Sequence, residues 1–140
     1  MNFAAWNVRG MSDPIKAADV RKVCSENDIS LVGLLETRVN HSNEVRILQT
    51  ISRRWNFVIN SLARKRIWIC WDSDVWDVVI VKEHPQFIHC SITNLRDNAS
   101  FFATFTYASN SFVERRILWQ QLLGLAPTIY GKPSVVLGGR

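Results

Sequence analysis

The chain has 140 residues, 47% of them apolar and 21% charged, and its 17 Lys and Arg outnumber 12 Asp and Glu to give a net charge of +5. That is the size and composition of one globular domain or part of one, and it excludes a low-complexity or disordered chain. No apolar run reaches the roughly 18 residues of a membrane-spanning helix, and the positive excess suits an anionic partner.

Met1-Asn2-Phe3 leads directly into a predicted strand, Phe3 to Val8, without the basic-then-apolar pattern of a secretion signal. Gly10 breaks that strand. Asp13 followed by Pro14 predicts a helix start, because an N-cap acceptor precedes a proline whose missing N–H has no helical partner to lose. The helix runs to about Glu26, with Ile15, Val20, Val23 and Cys24 toward the core and Lys16, Asp19 and Lys22 outside. Leu31 to Leu35 is a short, nearly continuous apolar run, the pattern of a strand buried on both faces, and it ends in a carboxylate, Glu36. Such a carboxylate lies at the rim of a sheet, where open sheets keep their ligand crevices. Glu36 either serves such a site or simply pairs with Arg38 at a solvated strand end. The order strand, helix, strand predicts a βαβ-like unit in one sheet.

A second helix is predicted from Asn43 to Arg54, with Val45, Leu48 and Ile51 on one face. Short strands follow: Trp55 to Asn60, Arg66 to Trp71, Trp76 to Lys82, Gln86 to Thr93 and Ala99 to Tyr107. Turn signals separate them at Asp72-Ser73-Asp74, His84-Pro85 and Arg96-Asp97-Asn98, and Arg64-Lys65-Arg66 reads as a hairpin turn. Both faces of the strand ending at Trp71 are apolar, so it is expected inside its sheet. Ser111-Phe112-Val113-Glu114 has the form of a capping box opening a helix to about Leu125, with Ile117, Leu118, Leu122 and Leu125 on the core side. Pro133 to Leu137 begins a further buried strand, after which the sequence runs only to Arg140. That ending predicts a piece of a larger α+β domain, left by an early stop or a truncated gene model.

The three cysteines, Cys24, Cys70 and Cys90, are widely spaced and form no metal-type pair, which predicts buried, reduced thiols in an intracellular protein. His41, His84 and His89 show no metal-ligand spacing, and His89 reads as a satisfied core histidine. The six tryptophans fall mostly in strands or on an apolar helix face and read as core before they read as base-stacking platforms.

Three blocks carry a family resemblance: Trp6-Asn7-Val8-Arg9-Gly10, Leu34-Leu35-Glu36-Thr37-Arg38 and Phe105-Thr106-Tyr107-Ala108-Ser109-Asn110. In this order and spacing they resemble the opening blocks of the endonuclease/exonuclease/phosphatase superfamily. They are most similar to the apurinic-type endonuclease domain at the front of non-LTR retrotransposon polyproteins. Arg66 to Asp72, Ile88-His89-Cys90 and Arg115 to Trp119 resemble that subfamily's lesser blocks, so the likeness covers essentially the whole chain. It implies an α+β fold, part of a four-layered α/β sandwich in which two mixed sheets pack face to face with helices outside and the C-terminal part missing.

The resemblance further implies Mg²⁺-dependent hydrolysis of DNA, fusion to a reverse transcriptase in relatives, a nuclear location, and neither a membrane nor a small-molecule cofactor. It makes Glu36 the metal ligand, Asn7, Tyr107 and Asn110 catalytic positions, and Arg38 and Arg115 contacts to the substrate. Each has a plainer reading. Asn7 caps a turn before Gly10, Tyr107 packs on the rim, Asn110 flanks a helix, and Arg115 and Arg116 form a solvated helix face. The sequence departs from the family at Leu137-Gly138-Gly139-Arg140: Gly139 stands where the family places the aspartate that positions the attacking water. The later block supplying a catalytic histidine is absent. A degenerate catalyst, an enzyme cut short, and a non-catalytic nucleic-acid-binding remnant are all open on these grounds.

Overall fold

The computed structural model describes residues 2–60, 62, 66–109, 111–125 and 133–139. Asn110, Arg64, Lys65 and Arg140 therefore lie outside the described residues. Two four-stranded sheets form the centre of the molecule. The first contains β1 (Asn2–Asn7), β2 (Ile29–Leu35), β3 (Asn56–Ile59) and β4 (Ile67–Trp71), in the order β1-β2-β4-β3. β1 and β2 are parallel, while β4 runs antiparallel to both β2 and β3. The second sheet contains β5 (Trp76–His84), β6 (Phe87–Asn94), β7 (Ser100–Tyr107) and β8 (Ser134–Gly139) in sequence order, with β7 and β8 parallel.

The helices lie on the outer faces. α1 (Pro14–Glu26) and α2 (Glu44–Ile51) cover the first sheet, where Ala17, Val20, Ile47, Leu48 and Ile51 pack against Val32, Leu34 and Trp68. α3 (Phe112–Gly124) covers part of the second, setting Leu118 against Phe87. Between the sheets, Leu31, Leu35, Ile67 and Ile69 meet Ile88, Cys90, Ile92 and Phe105. Period-2 alternation explains this division: odd positions of β2 and β4 face the other sheet, and even ones face the helices. Gly33 lies on the inner face, where a Cβ would run into Phe105 Cδ1. The two sheets approach each other that closely only because the side chain is absent.

A fully buried carboxamide fastens the sheets at one rim. Asn60, at the end of β3, donates from Nδ2 to the carbonyls of His84 (2.9 Å) and Phe87 (3.2 Å) in the β5–β6 turn. Its Oδ1 accepts from the Leu62 N–H at 2.9 Å.

The two-sheet α+β architecture and the strand boundaries follow the sequence to within a residue or two, and β4 is internal and wholly buried as its two apolar faces require. Several helix faces differ. Ile15, Val23 and Val45 are exposed, because the buried line on α1 runs through Ala17, Val20 and Cys24, and that on α2 through Glu44, Ile47, Leu48 and Ile51. The second helix is also shorter than expected, ending at Ile51, and a 3-10 turn over His41–Asn43 leads into it. On α3, Leu118 is buried and Ile117 and Trp119 are exposed. Among the described residues β8 pairs only with β7, and Val136 is 58% exposed where a buried strand was expected. The three cysteines are buried and unbridged; burial pushes the thiols of Cys24 and Cys90 up to about 11 and about 12. No helix among the described residues is long and apolar enough to cross a membrane.

Candidate active site

The parallel pairs β1/β2 and β7/β8 end at one rim of the sandwich. Asn7 is in register with Leu35, one residue before Glu36, and Tyr107 is in register with Gly139. Beyond β1 and β2 the backbone stays zipped: the N–H groups of Val8, Gly10 and Met11 donate to the carbonyls of Leu35, Glu36 and Thr37 at 2.8–3.0 Å. The Thr37 N–H in turn donates to the Arg66 carbonyl at 3.2 Å. Met11 and Thr37 are fully buried, which anchors both loops.

This braid holds three side-chain-bearing residues in the left-handed region, Arg9 (φ 51°), Glu36 (φ 61°) and Arg38 (φ 52°), beside Gly10 at φ 100°. Each costs on the order of 1 kcal/mol in a non-glycine residue, and such strain collects at functional sites. Only at Gly10 does the residue type itself relieve it.

Glu36 is 8% exposed. Its Oε1 accepts from the Tyr107 hydroxyl at 2.5 Å and from an Arg38 guanidinium nitrogen at 3.1 Å. The Arg66 guanidinium carbon lies 6.0 Å from the centre of the Tyr107 ring. Asn7 Oδ1 accepts from the Arg9 N–H at 3.1 Å, so the turn-capping reading of Asn7 holds alongside its place at the rim. Glu36 pairs with Arg38 as its plainer reading has it, but at a buried position where the two sheets meet rather than at a solvated strand end. Arg115 is half-buried on α3, and the partners that bind Glu36 are Tyr107 and Arg38. Arg66 joins the group although the sequence marks it as a strand start and part of a basic turn, not as a site residue. Gln86 joins it by accepting the Ser109 N–H at 2.8 Å just past Tyr107.

The Tyr107 hydroxyl is pushed above its ordinary value of 10.0, first by burial and then by the hydrogen bond to Glu36 and its charge, with Arg38 and Arg66 opposing. A raised phenol keeps its proton, so the bond to Glu36 is complete below the ordinary tyrosine range and is lost as the pH climbs through the raised value. We expect the tyrosinate absorbance removed by Tyr107→Phe to develop only above pH 10.0. Ionisation of Tyr107 at or below that pH would show that the phenol does not hold the carboxylate.

Among the described residues, no three His, Cys, Asp or Glu side chains form a metal cage. Mg²⁺ does not need one, since it commonly keeps most of its water and takes one or two carboxylates. Among the described residues the contacts to Glu36 fall on Oε1, and Asn7 stands on the adjacent strand end. The donor set fits a largely hydrated hard divalent ion.

The fold is that of endonuclease/exonuclease/phosphatase family proteins. The chain superposes on the endonuclease domain of TRAS1, a telomere-specific non-LTR retrotransposon, with a TM-score of 0.73 and 8% identity, covering 97% of this chain and 58% of that one. It matches a mannosyl-6-phosphatase of Bacteroides thetaiotaomicron with a TM-score of 0.67 and 12% identity over 97% of this chain and 63% of the other. For the human Nocturnin catalytic domain the TM-score is 0.64, with 11% identity and coverage of 97% and 62%. The chain thus spans about three fifths of the length of these structures. No protein-family model matches the sequence, and no curated protein does.

Proposed function

We propose that these residues are the front portion of a retrotransposon-type, Mg²⁺-dependent DNA endonuclease domain, catalytically impaired at the end of β8. The observation that carries this reading is the Glu36 carboxylate, buried at the shared rim and oriented by Tyr107 and Arg38. Glu36 and Asn7 hold the metal, which when bound offsets charge on the phosphate oxygens. Tyr107 orients the carboxylate and presents its hydroxyl to the same space, while Arg38 and Arg66 draw the phosphodiester in. Asn110 and Arg115 belong to the proposal by sequence likeness alone. DNA as substrate, a reverse transcriptase as fused partner and a nuclear setting come with the same likeness.

One source of the impairment lies at the end of β8. Gly139, in register with Tyr107, places no side chain where a water-positioning carboxylate belongs in the family. The test is conversion of supercoiled plasmid by the purified chain. Slow nicking is expected that requires Mg²⁺ and falls to background, by at least about 100-fold, in Glu36→Ala. Gly139 also favours a second reading, a non-catalytic nucleic-acid-binding remnant. DNA binding with a steep salt dependence, no metal requirement and no Glu36-dependent nicking would establish that one instead.

A further inference from the structure

Beside Tyr107 the rim opens into a cleft of about 480 Å³, one wall of which is Gln86. Gln86 is 6% exposed, and its backbone and side-chain hydrogen-bonding groups are all engaged. Its N–H donates to His84 Nδ1 at 3.1 Å within the β5–β6 turn. Its carbonyl accepts the Tyr107 N–H at 2.9 Å, at the end of β7. Oε1 accepts the Ser109 N–H at 2.8 Å, and Nε2 donates to the Glu114 carbonyl at 2.7 Å in the first turn of α3. The stretch from Tyr107 to Ser109 thus hangs from one residue at both of its ends.

The turn that carries Gln86 is itself fixed. Asn60, on the other sheet, donates to the carbonyls of His84 and Phe87, which flank Pro85-Gln86. His84 stacks on Phe87 with 4.8 Å between ring centres. Burial, and then the charge of Lys82, hold His84 below its usual range, so at neutral pH Nδ1 keeps the lone pair it offers to Gln86. β7 ends at Tyr107, and beyond it the strand ladder gives way to the Gln86 side chain. The Tyr107 hydroxyl meets Glu36 across the seam at 2.5 Å. A bond that short, between a hydroxyl and a carboxylate, weakens with small displacements of either partner.

We propose that Gln86 is a positioning residue: by tying the Tyr107–Ser109 backbone to the β5–β6 turn and to α3, it sets where the Tyr107 hydroxyl meets Glu36. The proposal rests on the phosphodiesterase reading and adds to it a residue that acts through Tyr107.

The experiment follows the Tyr107 hydroxyl proton by NMR in the full chain. A proton held between a hydroxyl and a carboxylate resonates far downfield, and its loss in Tyr107→Phe and in Glu36→Ala assigns it. Gln86→Met keeps the side-chain bulk but neither side-chain hydrogen bond. It is expected to remove the downfield signal from a chain that still unfolds cooperatively. In plasmid nicking it is expected to lower kcat at least about ten-fold and to leave KM unchanged.

Gln86→Glu gives a second arm that stands even where the methionine variant does not fold. Protonated, the introduced carboxyl donates and accepts like the amide; ionised, it faces the Glu114 carbonyl with no proton to give. Its downfield signal is expected at about pH 5 and lost by about pH 8, a change the parent does not show. A signal unmoved in Gln86→Met, or one in Gln86→Glu no more pH-dependent than the parent's, would overturn the role. Nicking is read separately. A parent that does not nick removes the phosphodiesterase reading, while the proton signal still decides what Gln86 positions. A kcat untouched by Gln86→Met keeps the enzyme and removes the role.

Discussion

Replacing Gly139 with aspartate is expected to raise Mg²⁺-dependent plasmid nicking by about 100-fold, the scale of one well-placed electrostatic or proton-accepting group. Gly139 is in register with Tyr107 on β7, and Tyr107 already holds Glu36. Groups that activate water and stabilise charge act as a unit, so the gain should vanish when Gly139→Asp is combined with Glu36→Ala. A Gly139→Asp protein no faster than the parent, with unchanged circular dichroism, would show that β8 does not deliver position 139 to the chemistry.

Gly33→Val is expected to cost several kcal/mol and prevent the two sheets from closing. A Cβ at that position would overlap Phe105 Cδ1 and stand 2.5 Å from Cε1, well inside contact distance. Phe105 is fully buried between the sheets and has nowhere to turn. Adding one methylene to a filled core typically costs about 1–3 kcal/mol, and valine brings three carbons onto an aromatic ring. Chemical denaturation of Gly33→Ala and Gly33→Val should show graded loss, with the valine variant unfolded or insoluble. A Gly33→Ala protein as stable as the parent would mean that the sheets can slide apart without penalty. A compensating Phe105→Leu change should recover part of the alanine variant's loss.

Strands were the most legible part of the chain, because their signal is local. Leu31 to Leu35 and Ile67 to Trp71 are apolar at every position but one, and a strand buried on both faces is the simplest structure to satisfy them. The caps were equally local: Asp13 Oδ1 accepts the Ile15 N–H at 2.9 Å, and Ser111 Oγ accepts the Glu114 N–H at 3.4 Å. Helix faces were harder to read. α1 and α3 carry apolar residues around much of their circumference, and only the docked sheet decides which line is buried, so Ile15 and Ile117 were placed on the wrong side. β8 reads as buried from Val135-Val136-Leu137, but pairing on one side only leaves an edge.

The site divides in the same way. Glu36 announces itself as a carboxylate at the end of an apolar run, and Tyr107 by its block. The hydrogen bond joining them spans 71 positions, and nothing in either segment foretells it. Arg66 looked like one cation of a basic triplet, and its position over an aromatic ring depends on where β4 starts beside β7. Gln86 carried no signal, since its importance lies in two backbone partners that come from other elements.

The Asn60 clamp bears on how the molecule comes apart. Its carboxamide belongs to a strand of one sheet and satisfies two carbonyls of the other, so separating the sheets strands buried donors and acceptors together. Unlike two layers held by apolar contact alone, these cannot loosen one at a time. Amide exchange in β3 and in the β5–β6 turn should share one opening free energy, making the sandwich a single foldon with the cleft built on its seam.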